Sequence, residues 1–283
     1  MKTRIISGAV GILILVAALV AAVNVSDLIL LALLTVIGCI AIYEILITTG
    51  YAKSKFIAVV SMAYAVVTPI VYSLESAIIS TDWTFNIRHE AVLVLYALVL
   101  FVSAMFMHEK VSPTDVGFSF AATVCITYAF WSLAAIFSAS DGHGLFYLII
   151  VVIAAWACDT GAYFAGYFFG KHKMAPVISP KKTVEGAVGG VIFDMLVMLA
   201  ACLIFNASSD SSANVVAIVA VTPILAFAGM FGDLVFSYIK RACGIKDYGK
   251  IMPGHGGVLD RFDSVLAVAP LVYLIITHFK VVA

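Results

Sequence analysis

Along this chain apolar and polar positions do not alternate; they are segregated. Nine apolar runs, at roughly 5–25, 27–48, 56–74, 90–107, 116–138, 145–169, 183–206, 213–236 and 258–279, are divided by short polar connections. Each run is close to the roughly 20 residues that carry a helix across about 30 Å of hydrocarbon. Strand-like alternation is absent, which excludes a membrane barrel. The pattern predicts an all-α, polytopic membrane bundle of about nine transmembrane helices.

Composition agrees. The 283 residues are 64% hydrophobic and 11% charged, with a mean hydropathy of +1.14, far outside the soluble range. Lys2 and Arg4 precede the first apolar run. That run is too long for a secretory signal, and more spans follow, so an uncleaved first span is expected. The five cysteines, Cys39, Cys125, Cys158, Cys202 and Cys243, lie mostly in apolar runs without metal-ligand spacing and read as packing residues.

The net charge of zero carries no information here, but its placement does. With the N-terminus inside, fourteen Lys and Arg residues fall on inner segments and two, Arg88 and Lys280, on outer ones. Cytoplasmic connections collect such charge. The N-terminus is therefore expected inside and the C-terminus outside, with the polar loops 170–182 and 240–257 both facing the cytoplasm. The outer connections carry Asp27, Glu75, Asp82, Glu90, Asp141 and Asp210, and Trp83 and Trp131 suit an outer interfacial belt.

Chemistry is distributed unevenly. Residues 1–140 read as scaffold, with room for lipid access or dimer contacts; residues 141–283 read as the catalytic transmembrane part. In the first half Glu44 is the ionisable group deep in a span, and either a functional carboxylate or a hydrogen-bonded structural one fits. Lys53, Lys55 and Lys110 read as topology signals. In the second half, Asp159 must face protein, water or a cation rather than lipid. Glycines 161, 166, 170, 186, 189 and 190 suggest close helix packing. In SPKKTVEG, Ser179 and Pro180 suit the cap and first position of a helix, making an anion site beside Lys181 and Lys182. Glu185 and Asp194 follow, and the role of Asp194 stays open.

The stretch Phe231–Ser264 holds nine charged residues in 34 positions. On a helix through Phe231–Arg241, residues Asp233, Ser237 and Lys240 share a face. Asp260 and Asp263 sit at i, i+3 on the next helix. Between them lies a glycine-rich polar turn with Lys246, Asp247, Lys250, Pro253, Gly254, His255, Gly256 and Gly257. Carboxylates offer the hard oxygen ligands that Mg²⁺ or Mn²⁺ takes, and Lys and Arg suit phosphate oxygens. These parts suggest metal-assisted phosphoryl chemistry. No GxxxxGK[ST], HExxH or GxSxG occurs, which argues against a P-loop enzyme, a zinc protease and a serine hydrolase.

SYIKRACGIKDYGKIMPGHGGVLDRFDS closely resembles the C-terminal signature of the bacterial phosphatidate cytidylyltransferase (CDP-diacylglycerol synthase) family. The matching residues are Ser237, Lys240, Arg241, Lys246, Asp247, Pro253, His255, Gly256, Gly257, Asp260, Arg261 and Asp263. DTGAYFAGYFFGK and SPKKTVEG also look like that family's. The resemblance implies that CTP and phosphatidic acid give CDP-diacylglycerol and pyrophosphate with Mg²⁺, a second, monovalent cation being left open. It implies metal ligation by Asp233, Asp260 and Asp263, with Asp159 as a fourth candidate. Lys181, Lys182, Lys240, Arg241, Lys246 and Arg261 would hold phosphates, and Glu185, Ser237, Asp247, His255, Gly256 and Gly257 would contact substrate or support those that do. A homodimer in the bacterial inner membrane, with a cytoplasm-facing site, is implied too; nothing points to nucleic acid.

Two rival readings predict different observations. A proton- or cation-coupled transporter also needs intramembrane carboxylates, but spread across the bilayer and often in two similar halves. Here they gather at the inner face of the second half. A CTP-dependent lipid kinase would transfer the γ-phosphoryl and release CDP. A CDP-alcohol phosphotransferase lacks support because DGxxAR is absent.

Overall fold

A computed structural model describes residues 2–78, 88–139, 142–254 and 256–282. Asp82, Trp83, Asp141 and the expected substrate contact His255 lie outside the described residues. The helices are α1 Lys2–Asn24, α2 Leu28–Thr48, α3 Lys55–Ile78, α4 His89–Phe106, α5 Pro113–Phe137, α6 Gly144–Val152, α7 Cys158–Phe169, α8 Val184–Ser208, α9 Val215–Ala242 and α10 Leu259–His278. Helices α6 and α7 are one continuous rod joined by a π-helical stretch, Ile153–Ala157. Counted that way, nine helical segments stand among the described residues, at the nine expected places.

Eight of them are long and apolar enough to cross a bilayer. The ninth, α10, falls outside that group and opens with Asp260, Arg261 and Asp263. The eighth extends beyond its expected end near 236 to Ala242, so Lys240 and Arg241 occupy its last turn. Cations there are favoured by the helix dipole.

The 170–182 connection differs from the expectation. Ser179 and Pro180 do not open a helix. Lys173–Ala175 (β1) and Ser179–Thr183 (β2) form an antiparallel pair, with Lys173 opposite Thr183 and Ala175 opposite Ser179. Pro180 is tolerated because a two-stranded ribbon has only edges. The cap is Thr183, whose hydroxyl accepts from the Gly186 amide. Lys181 and Lys182 thus precede α8 on a strand and are not part of its first turn.

The chain forms two compact units, Met1–Trp131 with Ile245–Asp260, and Ser132–Gly244 with Arg261–Ala283. In the first, α2 packs on α1 and α3, and α3 on α4. Its core gathers Ile57, Tyr64, Tyr96, Leu100, Val111 and Val116. Tyr64 and Tyr96 stack at 4.4 Å, and the Tyr96 hydroxyl meets Ser61 Oγ at 2.9 Å.

In the second unit α7 packs along α8, and α8 along α9. The expected glycine seam is there: a Cβ at Gly190 would lie 2.8 Å from the Cys158 carbonyl oxygen, and one at Gly161 2.6 Å from Phe193 Cβ. Without hydrophobic drive inside a bilayer, such backbone proximity is what holds helices together. Cys158, Ala187, Ala226 and Met230 form the core beside it, consistent with cysteine as a packing residue. The π-helical stretch packs on α8 and α9.

Candidate active site

Four elements of the second unit bring polar side chains together in an otherwise apolar bundle. Asp159 stands in the first turn of α7, directly after the π-helical stretch. Such bulges are frequent at functional sites because they re-aim the side chains that follow. Lys182 comes from β2, Asp233 and Ser237 from α9, and Asp263 and Ser264 from α10.

The contacts are specific. Lys182 Nζ and Asp233 Oδ2 are 2.5 Å apart, each side chain about one quarter exposed (23% and 24%). Ser237 Oγ donates to Asp233 Oδ1 at 3.4 Å, as the predicted i, i+4 face requires. Ser264 Oγ donates to Asp159 Oδ2 at 3.0 Å, and the Ser264 amide to Asp263 Oδ1 at 2.9 Å. The carboxylates of Asp159, Asp233 and Asp263 act on one another electrostatically; Lys182 offsets Asp159 and the buried Lys240 offsets Asp263. Beside Asp233, a Cβ on Gly232 would stand 2.7 Å from the Asp263 carbonyl oxygen, so α9 and α10 meet backbone to backbone. Three acids against two lysines leave one negative charge, in a setting where uncompensated charge is costly.

Other expected residues are placed elsewhere. Glu185, in the first turn of α8, accepts from the Lys171 and His172 amides and pairs with His172 Nδ1 at 2.5 Å. It closes the base of the hairpin. Lys181, Arg241 and Arg261 are exposed.

The first unit holds the glycine turn, with exposed Lys246, Asp247 and Lys250. Gly254 and Gly256 take φ of 79° and 89°, the left-handed region that glycine enters freely. The Met252 amide donates to the Gly256 carbonyl at 3.1 Å, closing the turn that contains Gly254. Asp260 also belongs to this unit. Its Oδ2 accepts from the Tyr248 amide at 2.8 Å and the Gly257 amide at 3.0 Å, clamping the turn on itself. Glu44 is buried here and accepts from the Val258 and Leu259 amides.

Two features escaped sequence reasoning. The π-helical stretch has no composition signal. Ser264 ends the recognised signature, yet nothing local tells that its hydroxyl reaches Asp159, 105 residues away.

Asp194, mid-way along α8, is fully buried and neither carboxylate oxygen meets a hydrogen-bond partner. A carboxylate so placed gives up solvation with no return. Asp194→Asn in detergent should therefore melt higher, by about 2–4 °C for each kcal/mol relieved. A lower melting temperature would mean that the charge is held by something the protein binds.

Among the described residues, Glu75, His89 and Glu90 form the tighter group of metal-capable side chains, every ligand atom within 4.8 Å of the others. Each carboxylate already has a partner: His89 Nδ1 lies 2.9 Å from Glu75, and Arg88 Nη2 2.8 Å from Glu90.

A polytopic membrane protein that gathers partly buried carboxylates beside lysines in an otherwise apolar bundle is the class that the fold and this site define. Comparison narrows the class. The family model described as "Cytidylyltransferase family" matches residues 2–279, and the chain belongs to that family; it is a nucleotidyltransferase. It is 33% identical over 276 residues to the phosphatidate cytidylyltransferase of Staphylococcus aureus (strain COL), covering 98% of this chain and 99% of that one. It is 37% identical over 195 residues to the protein of that name from Staphylococcus haemolyticus, covering 69% of this chain and 72% of the relative. The Staphylococcus epidermidis (strain RP62A) protein of that name is 32% identical over 276 residues.

Proposed function

We propose that this protein is a phosphatidate cytidylyltransferase of a bacterial inner membrane, making CDP-diacylglycerol for phospholipid synthesis. The observation that carries the reading is its likeness to proteins of that name over 98% of its length, a span that takes in all five acidic and basic members of the second unit's cluster. The inner-side excess of Lys and Arg supports an inward N-terminus, an outward C-terminus and a site open to cytosolic CTP. Residues 1–140 would serve as scaffold, and the functional assembly would be a homodimer.

A phosphatidate phosphate oxygen attacks the α-phosphorus of CTP. The new P–O bond forms as the bond from that phosphorus to the bridging oxygen breaks, and pyrophosphate leaves with the electron pair. The protein needs no covalent intermediate; it must position two anions and neutralise them. The donor set fits Mg²⁺: Asp159, Asp233 and Asp263 present hard oxygens, and the two lysines leave part of their charge unmatched. These three would hold the ion, with Asp260 as a further expected ligand. Bound there, Mg²⁺ supplies neutralising charge to the triphosphate.

The lysines do the rest. Lys182 and Lys240 balance the carboxylates when no substrate is present and turn to phosphate oxygens when it is. Lys181, Arg241, Lys246 and Arg261 are exposed enough to meet the polyphosphate tail, and Gly256 and Gly257 let it approach the backbone. Ser237 orients Asp233, Asp247 and His255 add contacts from the glycine turn, and Glu185 fixes the hairpin that presents Lys181 and Lys182.

The test uses detergent-purified protein, phosphatidic acid, and CTP labelled at the α-phosphorus, with Mg²⁺ present or chelated. Label should enter the lipid phase only with Mg²⁺. Label appearing in lipid from γ-labelled CTP instead would establish a kinase and overturn the proposal.

A further inference from the structure

We propose that Glu44, on α2, is a positioning residue for the cytidylyl transfer proposed above, on which reading this inference rests: its carboxylate fixes where the glycine turn ends and α10 begins. Glu44 is 3% exposed. Oε1 accepts from the Val258 amide at 3.1 Å and Oε2 from the Leu259 amide at 2.9 Å. Those amides lie more than 210 residues away in sequence, at the start of α10. Amides at a helix start have no partner within the helix, and an anion there also meets the favourable end of the dipole.

The turn is shaped around this carboxylate. A Cβ at Gly249 would stand 2.1 Å from Glu44 Oε1, and one at Gly257 2.5 Å from Oε2. Both glycines leave room for the carboxylate alone. Asp260 grips the same turn through the Tyr248 and Gly257 amides. One acid therefore ties the turn to itself and the other ties it to α2. The segment so held carries Lys246, Asp247 and Lys250 and runs directly into Asp260, Arg261 and Asp263. A shift of about 1 Å in groups that position a reacting pair can cost on the order of 100-fold in rate.

The experiment compares wild type, Glu44→Gln, Glu44→Asp and Glu44→Ala in detergent, reading kcat and KM for CTP and phosphatidic acid together with amide hydrogen exchange by peptide. Glu44→Gln keeps the volume but turns an amide NH₂ toward one of two backbone donors. It should lower kcat about 10- to 100-fold with either KM changed less than about threefold. Exchange should rise in the 245–260 peptide and stay at wild-type rates in peptides from α7 and α8. Gly249→Ala should be less harmful in the Glu44→Ala background than in wild type, since the clash partner is gone. Wild-type kcat in Glu44→Gln, or unchanged exchange at 245–260, would overturn the inference. A wild-type protein that transfers no cytidylyl group would instead strike the proposed function, while the exchange and the Gly249 cycle would still decide whether Glu44 holds the turn.

Discussion

Asp263→Asn should lose cytidylyl transfer by about a thousandfold or more while melting no lower than wild type. Both halves follow from the site. Asp263 is partly buried, and the charges of Asp233 and Asp159 oppose its own, with Lys240 and the Ser264 amide as the offsetting partners. Asparagine keeps the side-chain volume and an acceptor for that amide, while the unfavourable carboxylate pairings disappear. The fold gives up the Lys240 pairing but sheds two carboxylate repulsions, and two acids then face two lysines. The proposed reaction has more to lose: a fixed charge that would serve a metal and a polyphosphate is worth several kcal/mol in the transition state. Initial rates at saturating CTP and phosphatidic acid, paired with a thermal melt of the same preparation, check both. An Asp263→Asn protein that stays active and Mg²⁺-dependent would remove this residue from the metal site.

The sequence carried the bundle and much of the site, for physical reasons that differ between them. Spans were legible because a hydrocarbon slab imposes one length and one backbone solution. The α9 face was legible because Asp233, Ser237 and Lys240 are related by helical geometry within one element, and Ser237 does reach Asp233. What stayed hidden was relation across elements. Nothing near Lys182 tells that it pairs with Asp233, 51 positions on, or that Ser264 reaches back to Asp159. Local chemistry also misled: Ser179 and Pro180 look like a helix start, but Thr183 offers a hydroxyl in better register and the preceding segment pairs as a hairpin. Glu44 was ambiguous for the same reason. Its partners are backbone amides, which have no identity in a sequence.

Lys182→Gln is expected to lower turnover about 100-fold and the melting temperature by several degrees, and the cause can be separated by a second substitution. The Lys182–Asp233 pair is short but about one quarter exposed on each side. Breaking a fully buried pair costs about 3–5 kcal/mol, mostly because the survivor is left charged without a partner. Solvent screening brings the figure here to about 1–3 kcal/mol. Adding Asp233→Asn removes the stranded charge, so the double variant should regain most of its melting temperature. If the lysine only balanced the aspartate, turnover would return with stability. In the mechanism argued here both side chains also serve the substrates, Lys182 by turning to phosphate and Asp233 by holding Mg²⁺. The double variant should therefore be nearly as stable as wild type and as inactive as Lys182→Gln or more so. Recovery of turnover along with the melting temperature would reduce the pair to a structural ion bridge and move the phosphate contact to Lys181, its exposed neighbour on the same strand.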